Sequence, residues 1–180
     1  MGAANGLIPG YTEPSNFTSA NIGELGGSGV LGANTLNGLK DIRDGSSNVM
    51  LIGEQSTFYF TATGAQKDWR TSAGLGFQIG VGTTAVPPNF TGNPFTFGFY
   101  TIRYPINKNR GWADPNGNMA LGVGYQAYIA GANMPLNSAH PGGVNILLCD
   151  GSVRFASESM ELSTLARLAN RIDGRPIDAF

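Results

Sequence analysis

The fold of this chain is decided by one stretch near its C-terminal end, which reads HPGGVNILLCDGSVRF from His140 to Phe155. An apolar run, an Asp-Gly pair and a second β-prone run predict two strands joined by a tight turn. Asp-Gly suits a two-residue type I′ turn, in which both central residues need positive φ. We therefore predict a turn at Asp150 and Gly151, with Cys149 opposite Ser152.

That register assigns each side chain of the hairpin to a face, because successive strand residues point to opposite sides of a sheet. The apolar face is predicted to carry Val144, Ile146, Leu148, Val153 and Phe155. The other face is predicted to carry Asn145, Leu147, Cys149, Ser152 and Arg154. The second face is half apolar, so we expect a loop, the N-terminal segment or another subunit to cover part of it.

The start of the stretch predicts a fixed corner rather than a catalytic pair. Pro141 restricts His140 to extended geometry, and Gly142-Gly143 permits a sharp entry into the strand. The intervening strand places the side chains of His140 and Asp150 roughly 20 Å apart. We expect His140 to hydrogen-bond backbone or Glu54 and to fix the corner.

A helix is predicted from Ser157 to Arg171, followed by a stop at Gly174. Ser157 or Ser159 can cap its N-terminal end. The apolar residues that recur at helical spacing are Leu162, Leu165, Leu168, Ala169 and Ile172.

The rest of the chain predicts short strands between long Gly-, Asn- and Pro-rich loops. A helical turn is predicted at Leu39–Ile42, a turn at Asp44–Asn48, and a loop at Thr83–Phe97. Predicted strands are Val49–Ile52, apolar on both sides and hence central in a sheet, then Phe58–Thr63, Leu75–Ile79 and Phe97–Tyr104, with a strand or helical turn at Tyr125–Ala130. The predicted fold class is α+β, a mostly antiparallel sheet with a C-terminal helix.

Two parts of the chain differ in composition. Residues 1–32 are predicted to form an extended N-terminal arm, which lies on its own domain or adds a strand to a neighbouring subunit. Residues 33–180 are predicted to form a single domain, since a chain of 180 residues fits one core of useful size.

The composition restricts the classes of partner. Charged residues make up 13% of the chain and the net charge is −1, so no basic surface for nucleic acid is present. Low charge also gives little protection against self-association, which suits a protein that packs against copies of itself. Met1 to Gly10 shows no secretory signal, and no apolar run is long enough for a transmembrane helix.

Three segments carry a resemblance to a known family. His140 precedes Asp150-Gly151 by nine intervening residues, which fits an H-X9-DG pattern. Ile42 to Glu54 resembles the family's I-x-D-G-[ST]-S-N strand ending in G-E, and Ile102 to Asn107 resembles its R-Y-P-I-N segment. Along the chain the three segments occur in the same order as in the planctomycete-type, prepilin-associated family of exported proteins with a C-terminal H-X9-DG motif, and the chain resembles that family from about Val30 to Gly174.

This resemblance implies a pilin-like, extracellular or cell-surface protein without catalytic residues. The family's N-terminal cleavage site and apolar helix have no counterpart in this chain, so assembly through such a helix is not expected of it. The structural motif residues that the resemblance and the turn chemistry single out are Asp44, Gly45, Glu54, His140, Gly142, Gly143, Asp150 and Gly151.

Asp114, Asn116 and Asn118 offer oxygen ligands at alternating positions, partly like a calcium loop. The segment lacks a distal bidentate Glu, so a plain Asn-Gly turn is the competing interpretation, and no other cofactor is expected. Cys149 is the only cysteine and is interpreted as a small core residue rather than a reactive thiol.

Asn16 and Asn89 each begin an N-x-[ST] sequon in a loop-like segment, and either glycosylation or chance accounts for them. From these features we expect a non-enzymatic structural subunit of an extracellular filament or surface assembly. The alternative is an extracellular carbohydrate- or ligand-binding module, with the loops from Phe90 to Tyr128 as its site.

Overall fold

The computed structural model of the protein describes residues 2–3, 8–13, 16–19, 23–32, 35–56, 58–68, 80–81, 96–97, 101–112, 135–175, 177 and 180. These residues form short strands, one turn of 3-10 helix at Leu39–Asp41 and one α-helix, α1, at Leu162–Leu168. The strands are β1 (Gly2–Ala3), β2 (Asn16–Ser19), β3 (Gly23–Gly26), β4 (Met50–Gly53), β5 (Phe58–Thr61), β6 (Gln66–Asp68), β7 (Gly80–Val81), β8 (Thr96–Phe97), β9 (Thr101–Ile102), β10 (Arg110–Trp112), β11 (Gly143–Leu148) and β12 (Val153–Ser157).

The predicted α+β class is confirmed. Within the described ranges, five strand pairs are antiparallel: β2–β3, β4–β11, β5–β6, β7–β8 and β11–β12. The two parallel pairs are β1–β9 and β5–β10. The single α-helix of the described residues follows the last strand, as predicted.

The sheet with the longest strand pairing has the order β12-β11-β4, so β11 is its central strand. Val49–Ile52 was predicted as a central strand, but among the strands that the structure describes β4 lies at the border of this sheet. Its inner side chain Met50 is fully buried, whereas Ile52 is 50% exposed. An apolar run on its own reveals neither how many strands flank it in the sheet nor whether both of its faces are covered.

The β11–β12 hairpin is present, but its predicted register is wrong by one residue. Leu147 pairs with Val153 and Asn145 pairs with Phe155. The Gly151 N–H donates to the Leu148 carbonyl at 3.1 Å, and Leu148 N–H donates to the Ser152 carbonyl at 2.9 Å. Three residues therefore form the loop, and only its last, Gly151, has positive φ, at 86°.

The shift by one residue turns every side chain of β12 to the opposite face. Val153 and Phe155 are 65% and 50% exposed, while Ala156 is fully buried beside Val144 and Ile146. The predicted common apolar face of the two strands is thus correct for β11 and wrong for β12. A type I turn followed by a left-handed glycine and a type I′ turn accept the same Asp-Gly pair, so the dipeptide did not distinguish them.

The C-terminal helix is shorter than predicted. Ser157 belongs to β12, and the residue that precedes the first helical turn is Glu161, without a side-chain capping bond. Ser157 and Ser159 instead bond each other through their hydroxyls at 2.8 Å in the connecting turn. The prediction of a Ser157 or Ser159 cap is therefore wrong, because the strand and its turn use both residues. Gly174 has positive φ but lies beyond the end of α1.

The core lies between the inner face of this sheet and α1, and it also receives side chains from distant segments. Its buried hydrophobic residues are Ile8, Tyr11, Met50, Ile102, Ile106, Leu136, Val144, Ile146, Leu148, Ala156, Leu165, Ala166, Leu168 and Ala169.

The described parts of residues 1–32, predicted as an extended arm, are joined to this core. β1 pairs with β9, and Ile8 and Tyr11 are buried. The Tyr11 hydroxyl donates to the Glu13 carboxylate at 2.8 Å and accepts from the Asn170 amide at 3.0 Å. Burial, together with the Glu13 charge, raises the pKa of Tyr11 well above its usual range.

The other predicted turns and strands are partly present and partly outside the described residues. The helical turn near Leu39, the turn at Asp44–Asn48 and the strand at Phe58 are present, and β8 and β9 overlap the predicted strand at Phe97–Tyr104. Leu75–Ile79, Tyr125–Ala130, most of the Thr83–Phe97 loop, the possible calcium ligands Asp114, Asn116 and Asn118, and the sequon at Asn89 lie outside the described residues.

Asn16 begins β2 and pairs with Gly26, so this sequon lies in a strand and not in a loop as predicted. No helix in the described ranges is long and apolar enough to span a membrane.

Candidate functional site

Segments that carry the family resemblance meet at the end of β11 where the chain enters the strand. The cluster they form, here called the polar corner, consists of Glu54, Asn107, Ser138, His140, Asn145 and Glu158. Glu54 follows β4, Asn107 is the last residue of the R-Y-P-I-N segment, and Ser138 and His140 precede β11.

Glu54 is the centre of the polar corner. Its carboxylate accepts hydrogen bonds from the Asn145 backbone N–H at 2.9 Å, the Asn145 amide at 3.2 Å and the Ser138 hydroxyl at 3.1 Å. His140 Nε2 lies 3.3 Å from Glu54 Oε1, so of the two partners expected for His140, backbone or Glu54, the contact with Glu54 is present. The partial burial of Glu54 raises its pKa, but these bonds and the nearby imidazole outweigh burial and hold the pKa below its usual value.

Asn107 extends the polar corner across the fold. It has φ of 59°, the one positive φ of a non-glycine residue in the described ranges. Its side-chain oxygen accepts from Ser138 N–H at 3.0 Å, and its amide donates to Glu158 at 3.0 Å. A left-handed backbone is tolerated by Asn better than by most residues. The identity of Asn107 is thus explained by backbone geometry and by two bonds at once.

The polar corner does not have the order of a Ser–His–acid relay. A Ser–His–acid relay needs the imidazole between the hydroxyl and the carboxylate. Here the Ser138 hydroxyl donates directly to Glu54, while its oxygen accepts the His140 backbone N–H at 2.9 Å. Ser138 is also buried. Among the described residues, no group of three or more His, Cys, Asp or Glu side chains is placed to hold a metal ion.

At the opposite end of β11, the second family segment forms a group of hydrogen bonds, here called the clasp, which joins Asp44 and Ser46 to Asp150, Asp173 and Gly174. Asp44 accepts the backbone N–H groups of Asp173 and Gly174, both at 2.8 Å. Ser46 accepts the Asp150 N–H at 3.0 Å. Asp44 thereby joins the segment after α1 to the loop at Asp44–Asn48. Ser46 joins the hairpin turn to the same loop.

The hairpin turn at this end is stabilised by its own side chains. Asp150 accepts bonds from the Ser152 hydroxyl at 2.6 Å and the Ser152 N–H at 2.8 Å. These bonds hold the pKa of Asp150 below its usual value. Burial raises the pKa of the neighbouring Cys149 thiol, which disfavours the reactive thiolate.

Between the polar corner and the clasp, the sheet presents an exposed apolar surface, here called the outer face. Its members are Ile52, Leu147, Val153 and Phe155. Leu147 pairs with Ile52 on one side and with Val153 on the other, so three apolar side chains form one row across three strands. Leu147 is partly buried, and the other three are at least 50% exposed.

The structure brings together some of the residues singled out in the sequence and separates others. Glu54 and His140 meet in the polar corner, with Gly142 and Gly143 directly after it. Asp44, Gly45, Asp150 and Gly151 lie at the other end of β11. The sequence did not indicate roles for Asn107, Ser138 and Glu158. Only the R-Y-P-I-N match pointed towards Asn107.

Comparison with protein families finds one match, over residues 3–163, to the family described as "Protein of unknown function (DUF1559)". The match begins in β1 and ends in α1, so it includes both the polar corner and the outer face. Comparisons with curated proteins and with solved structures find no match.

Proposed function

The chain belongs to the DUF1559 family of proteins of unknown function, and from the surface of its sheet we propose that it is a structural subunit of an extracellular filament or surface assembly, without catalytic activity. Its partners in this role are copies of the same chain. The pilin-like character and the extracellular location rest on the resemblance of its three motif segments to the prepilin-associated family.

The observation that carries the proposal is the outer face. Single exposed apolar residues are ordinary on protein surfaces, but contiguous apolar patches mark interaction sites. Ile52, Leu147 and Val153 are direct neighbours through strand pairing, whereas exposed residues such as Leu36 lie outside the strands. A face of this kind is favourably buried against another apolar surface, at about 25 cal/mol per Å².

Charge does not oppose such packing. The net charge of −1 on 180 residues gives little long-range repulsion between copies. The bonded side chains of the polar corner and the clasp secure both ends of β11, so the face is presented on a fixed element. A fixed surface loses less conformational entropy on association than a loop does.

Association of the native chain tests this proposal. We expect sedimentation velocity over a wide concentration range to show association, and electron microscopy of unheated material to show regular assemblies. Replacing Ile52 and Leu147 with Thr keeps β-propensity but removes apolar surface, and should shift the midpoint of association to a concentration at least about tenfold higher. Leu36→Thr is the matched control, since Leu36 is fully exposed away from the sheet. Association that is unchanged in the Ile52/Leu147 variant would contradict the proposal.

A second candidate function is an extracellular carbohydrate- or ligand-binding module. It is favoured by the aromatic pair on β5, where the Phe58 and Phe60 rings meet edge to face with centroids 5.7 Å apart. The Arg110 guanidinium lies 4.2 Å from the centre of the Phe60 ring, and both rings are partly exposed. Exposed aromatic rings offer an apolar surface on which a ligand can pack, and the Arg110 guanidinium beside them has several hydrogen-bond donors. A chain that stays monomeric at every concentration would favour this candidate over the first.

A further inference from the structure

Strand β12 has one edge that pairs with β11 and one that pairs with no strand of the described residues. Leu148 N–H donates to the Ser152 carbonyl, and Glu158 N–H donates to the Gly142 carbonyl. Even-numbered residues of β12 therefore direct their backbone groups towards β11. By alternation, Val153, Phe155 and Ser157 direct theirs away from the sheet.

The side chains along this edge combine apolar surface with charge. Val153 and Phe155 extend the apolar row of the outer face to the border of the sheet. On the other face of β12, the Arg154 guanidinium lies 5.4 Å from the centre of the Phe180 ring. Glu158 is exposed and follows Arg154 by four residues. Exposed edges of this type accept an added strand unless charges prevent it.

We propose that β12 pairs antiparallel with β12 of a second copy of this chain, about a twofold axis that passes beside Ala156. This inference rests on the proposed self-assembly and specifies its contact. In this register Arg154 of each copy lies opposite Glu158 of the other. Phe155 then pairs with Ser157 across the edge, and each such pair supplies two backbone hydrogen bonds.

Charge complementarity selects this register among those in which outward-facing backbone groups meet. An axis at Arg154 would place two guanidinium groups directly opposite each other, which is destabilising. An axis at Phe155 would place Arg154 opposite Ala156, without a charge partner. The axis at Ala156 forms two opposite-charge pairs, and these occupy the non-hydrogen-bonded positions where side chains approach most closely.

The local backbone is compatible with this pairing. The Ser157 carbonyl already accepts the Met160 N–H at 3.0 Å. A carbonyl oxygen has two lone pairs, so one remains for the second copy. The two Phe155 rings lie diagonally across the axis, within reach of each other on the outer face.

The contact makes one continuous sheet of six strands, in the order β4-β11-β12 followed by the same strands of the second copy in reverse. A twofold contact closes on itself, so any longer assembly needs a second surface. The outer face supplies one, because pairing joins two apolar rows on the same side of the larger sheet.

Charge reversal tests the register. Arg154→Glu and Glu158→Arg each place like charges opposite one another, and each should raise the dissociation constant of the dimer by about tenfold. The double variant restores two opposite-charge pairs and should return the constant to within about threefold of the natural chain. Sedimentation equilibrium gives the constants, and thermal unfolding followed by circular dichroism checks that each variant folds. A double variant as weak as the single variants would overturn the register.

A proline at the edge tests strand pairing itself. Phe155→Pro removes an N–H that faces away from β11, so the hairpin ladder is retained, whereas Phe155→Thr removes the ring but keeps that N–H. We expect the proline variant to lose dimerisation and the threonine variant to keep a measurable part of it. If the proline variant associates as well as the threonine variant, edge pairing is wrong, although assembly through the outer face would stand. If the natural chain never associates, both proposals are wrong.

Discussion

Glu54 is the residue on which the polar corner depends, because its carboxylate is contacted by Ser138, His140 and Asn145 at once. A buried or half-buried carboxylate is retained in a fold when its oxygens are satisfied by several donors. The arrangement also brings together two motif segments of this chain, because the Glu at the Gly-Glu end of one lies 3.3 Å from the His140 Nε2 atom of the other. Its function at this scale is to fix the entry of β11.

The depressed pKa of Glu54 predicts how stability changes with pH. A folded-state pKa below the ordinary value of 4.5 means that the charge stabilises the fold above that value. The contribution is lost as pH falls through the lower, folded-state pKa. Glu54→Gln should therefore reduce the free energy of unfolding at neutral pH by about 1 kcal/mol, and by less in acid.

Urea unfolding at neutral and acidic pH measures this difference. Glu161→Gln is the matched control, since Glu161 is exposed and makes no side-chain capping bond. We expect the control to unfold like the natural chain at both pH values. An equal loss for Glu54→Gln at neutral and acidic pH would show that the carboxylate charge does not stabilise the corner.

At the scale of the element, the β11–β12 hairpin depends on the close approach of its two strands at Gly143. A Cβ atom at Gly143 would lie 2.8 Å from the Phe155 ring and would also meet the backbone oxygen of Ala156. The ring therefore lies across a position that has no side chain, and the chain enters β11 without a steric conflict. The same contact holds Phe155 on the outer face, where the proposed dimer needs it.

Gly143→Ala should destabilise the fold by about 2 kcal/mol or more, because a backbone atom cannot move aside as a flexible side chain can. Gly38→Ala is the control, since its Cβ would meet no atom closer than 3.8 Å and its backbone is extended. We expect the control to change the free energy of unfolding by less than about 0.5 kcal/mol. Equal stabilities of the two variants would contradict the packing of Phe155 on Gly143.

At the scale of the whole molecule, the N-terminal segment is part of the structural unit that the family match defines. Ile8 is 2% exposed in the common core, and the Tyr11–Glu13–Asn170 network joins the segment to the residues after α1. Arg171 adds a bond from its guanidinium to the Gly29 carbonyl at 2.9 Å. Deleting residues 1–32 would therefore expose core surface, and loss of assembly after such a deletion would not by itself demonstrate strand addition by the segment.

Ile8→Ala tests this integration without removing the segment. Truncating a buried Ile leaves a cavity, so the free energy of unfolding should fall by about 2–4 kcal/mol. Leu36→Ala, at a fully exposed position, should leave it nearly unchanged. Denaturant unfolding of both variants measures the difference, and an unaffected Ile8 variant would show that the segment folds independently of the core.

The sequence by itself determined the fold class, the existence of the β11–β12 hairpin and the C-terminal helix, and it named Glu54 as one of two alternative partners of His140, beside backbone groups. The fold class, the hairpin and the helix follow from local rules, because alternation of apolar residues, turn chemistry and helical spacing act between residues close in the chain. The family membership also follows from the sequence, because it depends on residue order alone.

Only the tertiary structure decided the register of the hairpin, the position of β4 at the border of its sheet among the described strands, the shorter helix and the participation of Ile8 and Tyr11 in the core. One Asp-Gly pair is compatible with two turn types, and the choice between them reverses the faces of β12. Which choice prevails depends on the packing of Ala156 inside and of Phe155 on Gly143. These contacts join residues whose proximity no local pattern specifies, and they are the reason that an apolar row remains exposed on this sheet.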